Sequence, residues 1–96
     1  MTKLEMWSEV YKDKPRTLSD NPNMLDELYN ELTWLETRKV YVTLNWFRVH
    51  DKHRFLQYRS LIFYAGDIKG AYDYILTRYK KEMKMRGKRL WENLVI

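Results

Sequence analysis

The chain contains no cysteine, which excludes a disulfide framework and any thiolate metal site. Glycine and proline are scarce, three and two in 96 residues, so there are few places for a sharp turn. No run approaches the ~18 apolar residues of a membrane span. Residues Met1 to Lys14 are mixed and charged, without the apolar core of a secretory leader. The expectation is a cytoplasmic protein with no membrane partner, with release to the extracellular medium left open. A glycine-rich phosphate loop, a nucleophile elbow and a Cys-His pair are also missing. Ser8, Ser19 and Ser60 sit in no triad-like setting. The reading is therefore non-enzymatic, with no cofactor expected.

What is abundant is aromatic and basic. Hydrophobic residues make up 45% of the chain and aromatic residues 16%, with four Trp and eight Tyr. That is too apolar for a disordered tail, and Tyr and Trp favour surfaces with one dry and one wet end. The length allows one domain, residues 1–96, and a core small enough that oligomerisation is a common source of extra stability. The net charge of +5 permits anionic partners.

Leu4, Trp7, Val10 and Tyr11 fall at helical spacing. Lys14-Pro15 ends that pattern, because a residue before proline is pushed out of the α region. Residues 15 to 23 read as a loop, closing on a start signal at Asn21-Pro22 or Asn23. From Asn23 to Ala65 there is neither glycine nor proline. One heptad register there takes in Leu25, Leu28, Leu32, Leu35, Lys39, Val42, Trp46, Val49, His53, Leu56, Ser60 and Phe63, which predicts one long helix over 23–65 with a sustained seam. From Val40 to Tyr64 the apolar stripe widens, as for a helix covered on more than one side. A rival reading makes Val40 to Leu44 a strand, with a turn at His50 to His53. The helix is preferred because that turn lacks the residues a tight hairpin wants, and a break or kink near Asp51 fits it.

Gly66-Asp67 reads as a stop followed by an N-cap. The next helix, 67–86, carries Ile68, Ala71, Tyr72, Ile75, Tyr79 and Met83 on one face, has Gly70 in its first turn and ends at Gly87. Leu90, Trp91, Leu94 and Val95 form an apolar tail within 87–96.

At ~1.5 Å per residue the two helices would measure about 65 and 30 Å. The shorter one then covers only the second half of the longer. Either the N-terminal segment with Trp7 folds back over part of the uncovered leucines or they call for another chain, since burying each is worth roughly 1.5–3 kcal/mol. Residues 20 to 36 carry only acidic charge, whereas Arg38, Lys39, Arg48, Lys52, Arg54 and Arg59 dominate the stretch that follows. That order favours an antiparallel copy, with plain dipole complementarity in a monomeric bundle as the alternative. The predicted class is all-α: a helix-loop-helix with one long and one shorter antiparallel helix, assembling into an oligomeric helical bundle, as a homodimer or tetramer. Leu25, Leu28, Leu32, Leu35, Val42 and Trp46 are the predicted oligomer interface, and another protein is the expected partner.

Two clusters remain. His50, Asp51 and His53 are the one group resembling a metal site, but their spacing matches no two-His helical motif, so no metal is expected and a polar bend is preferred. Arg78, Lys80, Lys81, Lys84, Arg86, Lys88 and Arg89 are opposed only by Glu82. With Tyr74, Tyr79 and Trp91 nearby, they are the candidate nucleic-acid contact. Basic helices are also often simply solvated.

The glycine-free stretch Asn23 to Ala65, the Gly66-Asp67 turn and the helix ending Lys80-Lys81-Glu82-Met83-Lys84-Met85-Arg86 resemble the short helix-loop-helix proteins of Gram-positive bacteria and their prophages. That group includes a streptococcal histidine-rich-glycoprotein-interacting protein. The resemblance implies an oligomeric accessory or virulence factor that binds a host protein.

Overall fold

The computed structural model describes residues 1–12 and 30–87. Within them lie four helices and no strand: α1 (Lys3–Val10), α2 (Trp34–His50), α3 (Lys52–Tyr64) and α4 (Ile68–Met85). The chain is all-α.

Each helix starts where a side chain satisfies backbone donors that would otherwise be orphaned. Thr2 and Thr33 each open a reciprocal capping box. The Thr33 hydroxyl accepts from the Glu36 N–H at 3.1 Å, and the Thr33 N–H donates to Glu36 Oε1 at 2.9 Å. Asp51 and Asp67 cap α3 and α4. The Thr33 cap overturns the single helix expected over 23–65, because residues 30–33 are not helical. The start signal at Asn21 to Asn23 lies outside the described residues.

A second break falls at Asp51, which belongs to both neighbouring helices. Its N–H donates to Phe47 O at 2.7 Å, closing α2, while its carboxylate accepts from Arg54 N at 3.2 Å, opening α3. The chain folds back there. Phe47 and Tyr58 have ring centroids 5.2 Å apart, whereas eleven residues of straight helix would separate them by about 16 Å. Residues 40–64 are thus a helical corner, not a β-hairpin, and the turn falls at the position the strand reading gave it. With α2 at 17 residues and α4 at 18, the length mismatch that demanded a partner is gone.

The core lies between the inner faces of the four helices. Val40, Leu44 and Phe47 of α2 meet Phe55, Tyr58 and Ile62 of α3 and Ile68, Ile75, Tyr79 and Met83 of α4. α1 is an integral part of it: Met6, Trp7 and Val10, with Tyr11 just beyond, are each at most 1% exposed. α1 runs parallel to α2. Trp34 Nε1–H donates to Met1 O at 2.7 Å at one end, and Arg48 Nη2–H donates to Val10 O at 3.0 Å at the other. Val10 O also accepts from Arg59 at 3.1 Å. Arg59 is only 1% exposed, with its guanidinium 4.8 Å from the Phe55 ring centroid. Two cations therefore sit at the negative end of the α1 dipole, and Tyr11 locks the same spot by donating to Arg59 O at 2.6 Å.

Candidate interaction surfaces

α2 carries apolar residues on two opposite sides. Its inner positions are Thr37, Val40, Thr43, Leu44 and Phe47, all buried. The predicted seam falls elsewhere. Leu35, Val42 and Val49 recur every seven residues, which drifts by only ~20° per step and keeps them on one side. That side faces outward: Leu35 is 51% and Val49 79% exposed, with Val42 half-buried between them. Trp34, 44% exposed, stands at its start, and its hydrogen bond to the Met1 carbonyl brings exposed Met1 alongside.

The six residues expected at an oligomer interface divide accordingly. Leu35 and Val42 lie on the outward stripe. Trp46 lies at its edge, half-buried against the rings of Phe47 and Tyr79. Leu32 is corrected: it is 1% exposed within its own chain's core. Leu25 and Leu28 lie outside the described residues. Sequence reasoning left Trp34 and Met1 out of this surface, although the Thr33-x-x-Glu36 box would have fixed where α2 begins.

Four of the charges credited with orienting a second copy are engaged within the chain. Glu36 pairs with Lys69 of α4, and Arg54 with Glu82 at 2.6 Å. Arg48 donates to Glu9 O and Val10 O, and Arg59 is buried. The Lys69 hydrogen bond, followed by that from Thr33, holds the Glu36 carboxyl below its ordinary value, and Glu82 raises Arg54.

The Arg54–Glu82 pair holds the first turn of α3 beside the last turns of α4. One end of the bundle thereby gathers His50, Lys52, His53, Arg54 and Arg86, with Asp51 and Glu82 the acidic residues among them. Lys80, Lys81 and Lys84 form an exposed ridge on α4, Arg86 is exposed, and Arg78 is half-buried. Lys88 and Arg89 lie outside the described residues. At this end exposed His50 stacks on Trp46, with centroids 4.3 Å apart and planes within 10°. The Arg86 guanidinium lies 5.0 Å from the Trp46 ring centroid.

His50, Asp51 and His53 are not assembled as a metal site. Asp51 is occupied by its cap and by Arg54, and His50 Nδ1–H donates to Trp46 O at 2.9 Å. Among the described residues no cluster of three or more His, Asp or Glu could hold a metal, and no helix is long and apolar enough to cross a membrane. A shallow groove of about 670 Å³ lies between α3 and α4, bordered by Tyr58, Leu61, Ala65, Asp67, Ala71 and Tyr74. No protein-family model, no curated protein and no solved structure matches the chain.

Proposed function

We propose that the protein is a non-enzymatic, cytoplasmic interaction module that self-associates through the outward face of α2. One observation carries this: Leu35, Val42 and Val49 form a seven-residue repeat on the side of α2 turned away from its own core. A monomeric bundle gains nothing from that spacing. Knobs-into-holes packing needs the same repeat on both helices, and a second copy supplies it.

Size sets the expected strength. α2 is about 25 Å long and about 10 Å across, so its stripe offers roughly 250 Å², well short of the ~800 Å² per partner of a stable interface. Trp34 and Met1 extend the patch at one end. A reversible dimer with a micromolar dissociation constant fits that area. The resemblance to short helix-loop-helix proteins of Gram-positive bacteria and prophages extends the reading to an accessory or host-protein-binding factor. The Gly66-Asp67 turn and the lysine-rich α4 support it, while the glycine-free stretch contributes less now that it is divided at Thr33 and Asp51.

Sedimentation velocity from about 5 to 500 µM tests the assembly, a range chosen to bracket the expected constant. The mass should rise towards two chains, and Leu35→Glu with Val49→Glu should hold it at one chain with the helical spectrum intact. A single-chain mass throughout, as when the protein's own residues 13–29 or 88–96 cover the stripe, would overturn the proposal.

A further inference from the structure

The cationic end of the bundle lies where the outward stripe of α2 ends, at Trp46 and Val49, and has a chemistry of its own. Two features meet there. The first is charge: Arg86 lies against Trp46, exposed Lys80, Lys81 and Lys84 fall in the last two turns of α4, and exposed Lys52 opens α3. Lys81 and Lys84 have no carboxylate partner among the described residues, whereas Arg54 and Arg86 share Glu82. The second is an exposed flat ring. One face of His50 is stacked on Trp46, and the residue is exposed. The imidazole is held in that attitude by its hydrogen bond to Trp46 O, and the indole beneath it is braced by Phe47 and Tyr79 edge-on and by Arg86. A fixed aromatic platform set among cations suits a ligand that alternates flat π-faces with negative charge. Duplex nucleic acid hides its π-faces in the stack, and a lipid surface or an acidic peptide presents none in alternation with charge.

We propose that this end binds an unpaired nucleic-acid strand, one base stacking on the face of His50 opposite Trp46 and adjoining phosphates meeting Arg86 and the lysine ridge. The platform has room for one or two bases, so sequence preference is weak and salt dependence strong. Neutralising about four phosphates gives a log–log salt slope near −3 for a single strand.

The test is fluorescence anisotropy of the full chain with labelled 12-nucleotide DNA and RNA strands. The same DNA as a duplex, heparin as a polyanion without bases, and phosphatidylglycerol vesicles are the comparisons. Single strands should bind at least tenfold tighter than the duplex or heparin. His50→Ala should weaken strand binding by roughly tenfold, the usual scale for one stacked base, and leave heparin binding unchanged. Lys81→Glu with Lys84→Glu should weaken both. All three positions are exposed, and circular dichroism checks that each variant folds. Repeating the titration on a Leu35→Asn/Val49→Asn variant, which adds no charge beside His50, separates strand binding from assembly, and the affinity per chain should be preserved there. No strand binding at low salt would overturn the proposal. So would equal affinity for strand and heparin with His50→Ala silent, or tighter binding to vesicles than to strands.

Discussion

α2 and α4 are nearly equal in length, 17 and 18 residues, yet they use their side chains in opposite ways. α4 is divided more simply: Ile68, Ala71, Tyr72, Ile75, Leu76, Tyr79 and Met83 are buried, and its outer face is mostly lysine, threonine and aspartate, with Tyr74 and Met85 as its exposed large apolar side chains. α2 spends two of its five buried positions on threonine and sets leucine, valine and tryptophan outside. A helix with one apolar face has one neighbour to satisfy; a helix with apolar residues on opposite faces has two. Among the described residues the stripe of α4 is covered and the outward stripe of α2 is not, and it is on this difference that the proposed self-association rests.

The largest effect that would break this comparison is at Phe47. Phe47→Ala empties the centre of the inner face and should cost about 3–5 kcal/mol, read by chemical denaturation. Val49→Ala, two residues on but outward, should leave the dilute monomer within about 0.5 kcal/mol while reducing dimerisation. Equal costs would show that both faces are core. Next is Thr37, fully buried, whose hydroxyl has no hydrogen-bond partner among the described residues. Thr37→Val keeps the shape and removes the orphaned hydroxyl, so it should stabilise by about 1 kcal/mol. A loss of stability would mean the hydroxyl is satisfied in solution.

A smaller effect comes from the Glu36–Lys69 pair that ties α2 to α4. Because the folded carboxyl titrates below its ordinary value of 4.5, its contribution is complete above that value and is lost as pH falls through the lowered one. The melting temperature should therefore drop on acidification below 4.5. Glu36→Gln, which retains the capping geometry, should flatten part of that drop. The pair is largely solvated, so a few tenths of a kcal/mol is the scale, and thermal melts from pH 6 to 3 measure it. The smallest effect is at Gly70, where an added Cβ would meet Asp67 Oδ2 at 2.5 Å. Gly70→Ala gains about 0.8–1 kcal/mol of helix propensity and loosens a cap worth a similar amount, so the two should nearly cancel. A clear gain would show that Asp67 moves aside and caps without loss.

α4 was legible from sequence because local and global signals agree there. Gly66-Asp67 opens it, a single stripe runs through it, and Gly87 closes it with φ at +66°, the left-handed conformation that favours glycine. α1 was legible from Trp7, Val10 and Tyr11, though Leu4 is exposed and Met6 takes the inner place. In α2 the heptad seam was found, but periodicity groups residues on a face without saying whether the face looks inward. Direction depends on which neighbours arrive, and those follow from two breaks that carry neither glycine nor proline. Thr33-x-x-Glu36 was a readable start, masked by the leucines on either side of it. Arg59 was unreadable in another way: a cation buried against carbonyls and rings has no local signature and looks like any basic residue of a helix surface.

The hold on α1 has a consequence for the order of events during synthesis. The carbonyl of Val10 is engaged by Arg48 and by Arg59, 38 and 49 residues further along the chain. At roughly 5–20 residues per second, the docking site for α1 is finished only some 2 to 10 seconds after α1 itself has been made. Throughout that interval Met6, Trp7, Val10 and Tyr11 have no final resting place, and the nascent chain displays them to whatever surrounds the ribosome.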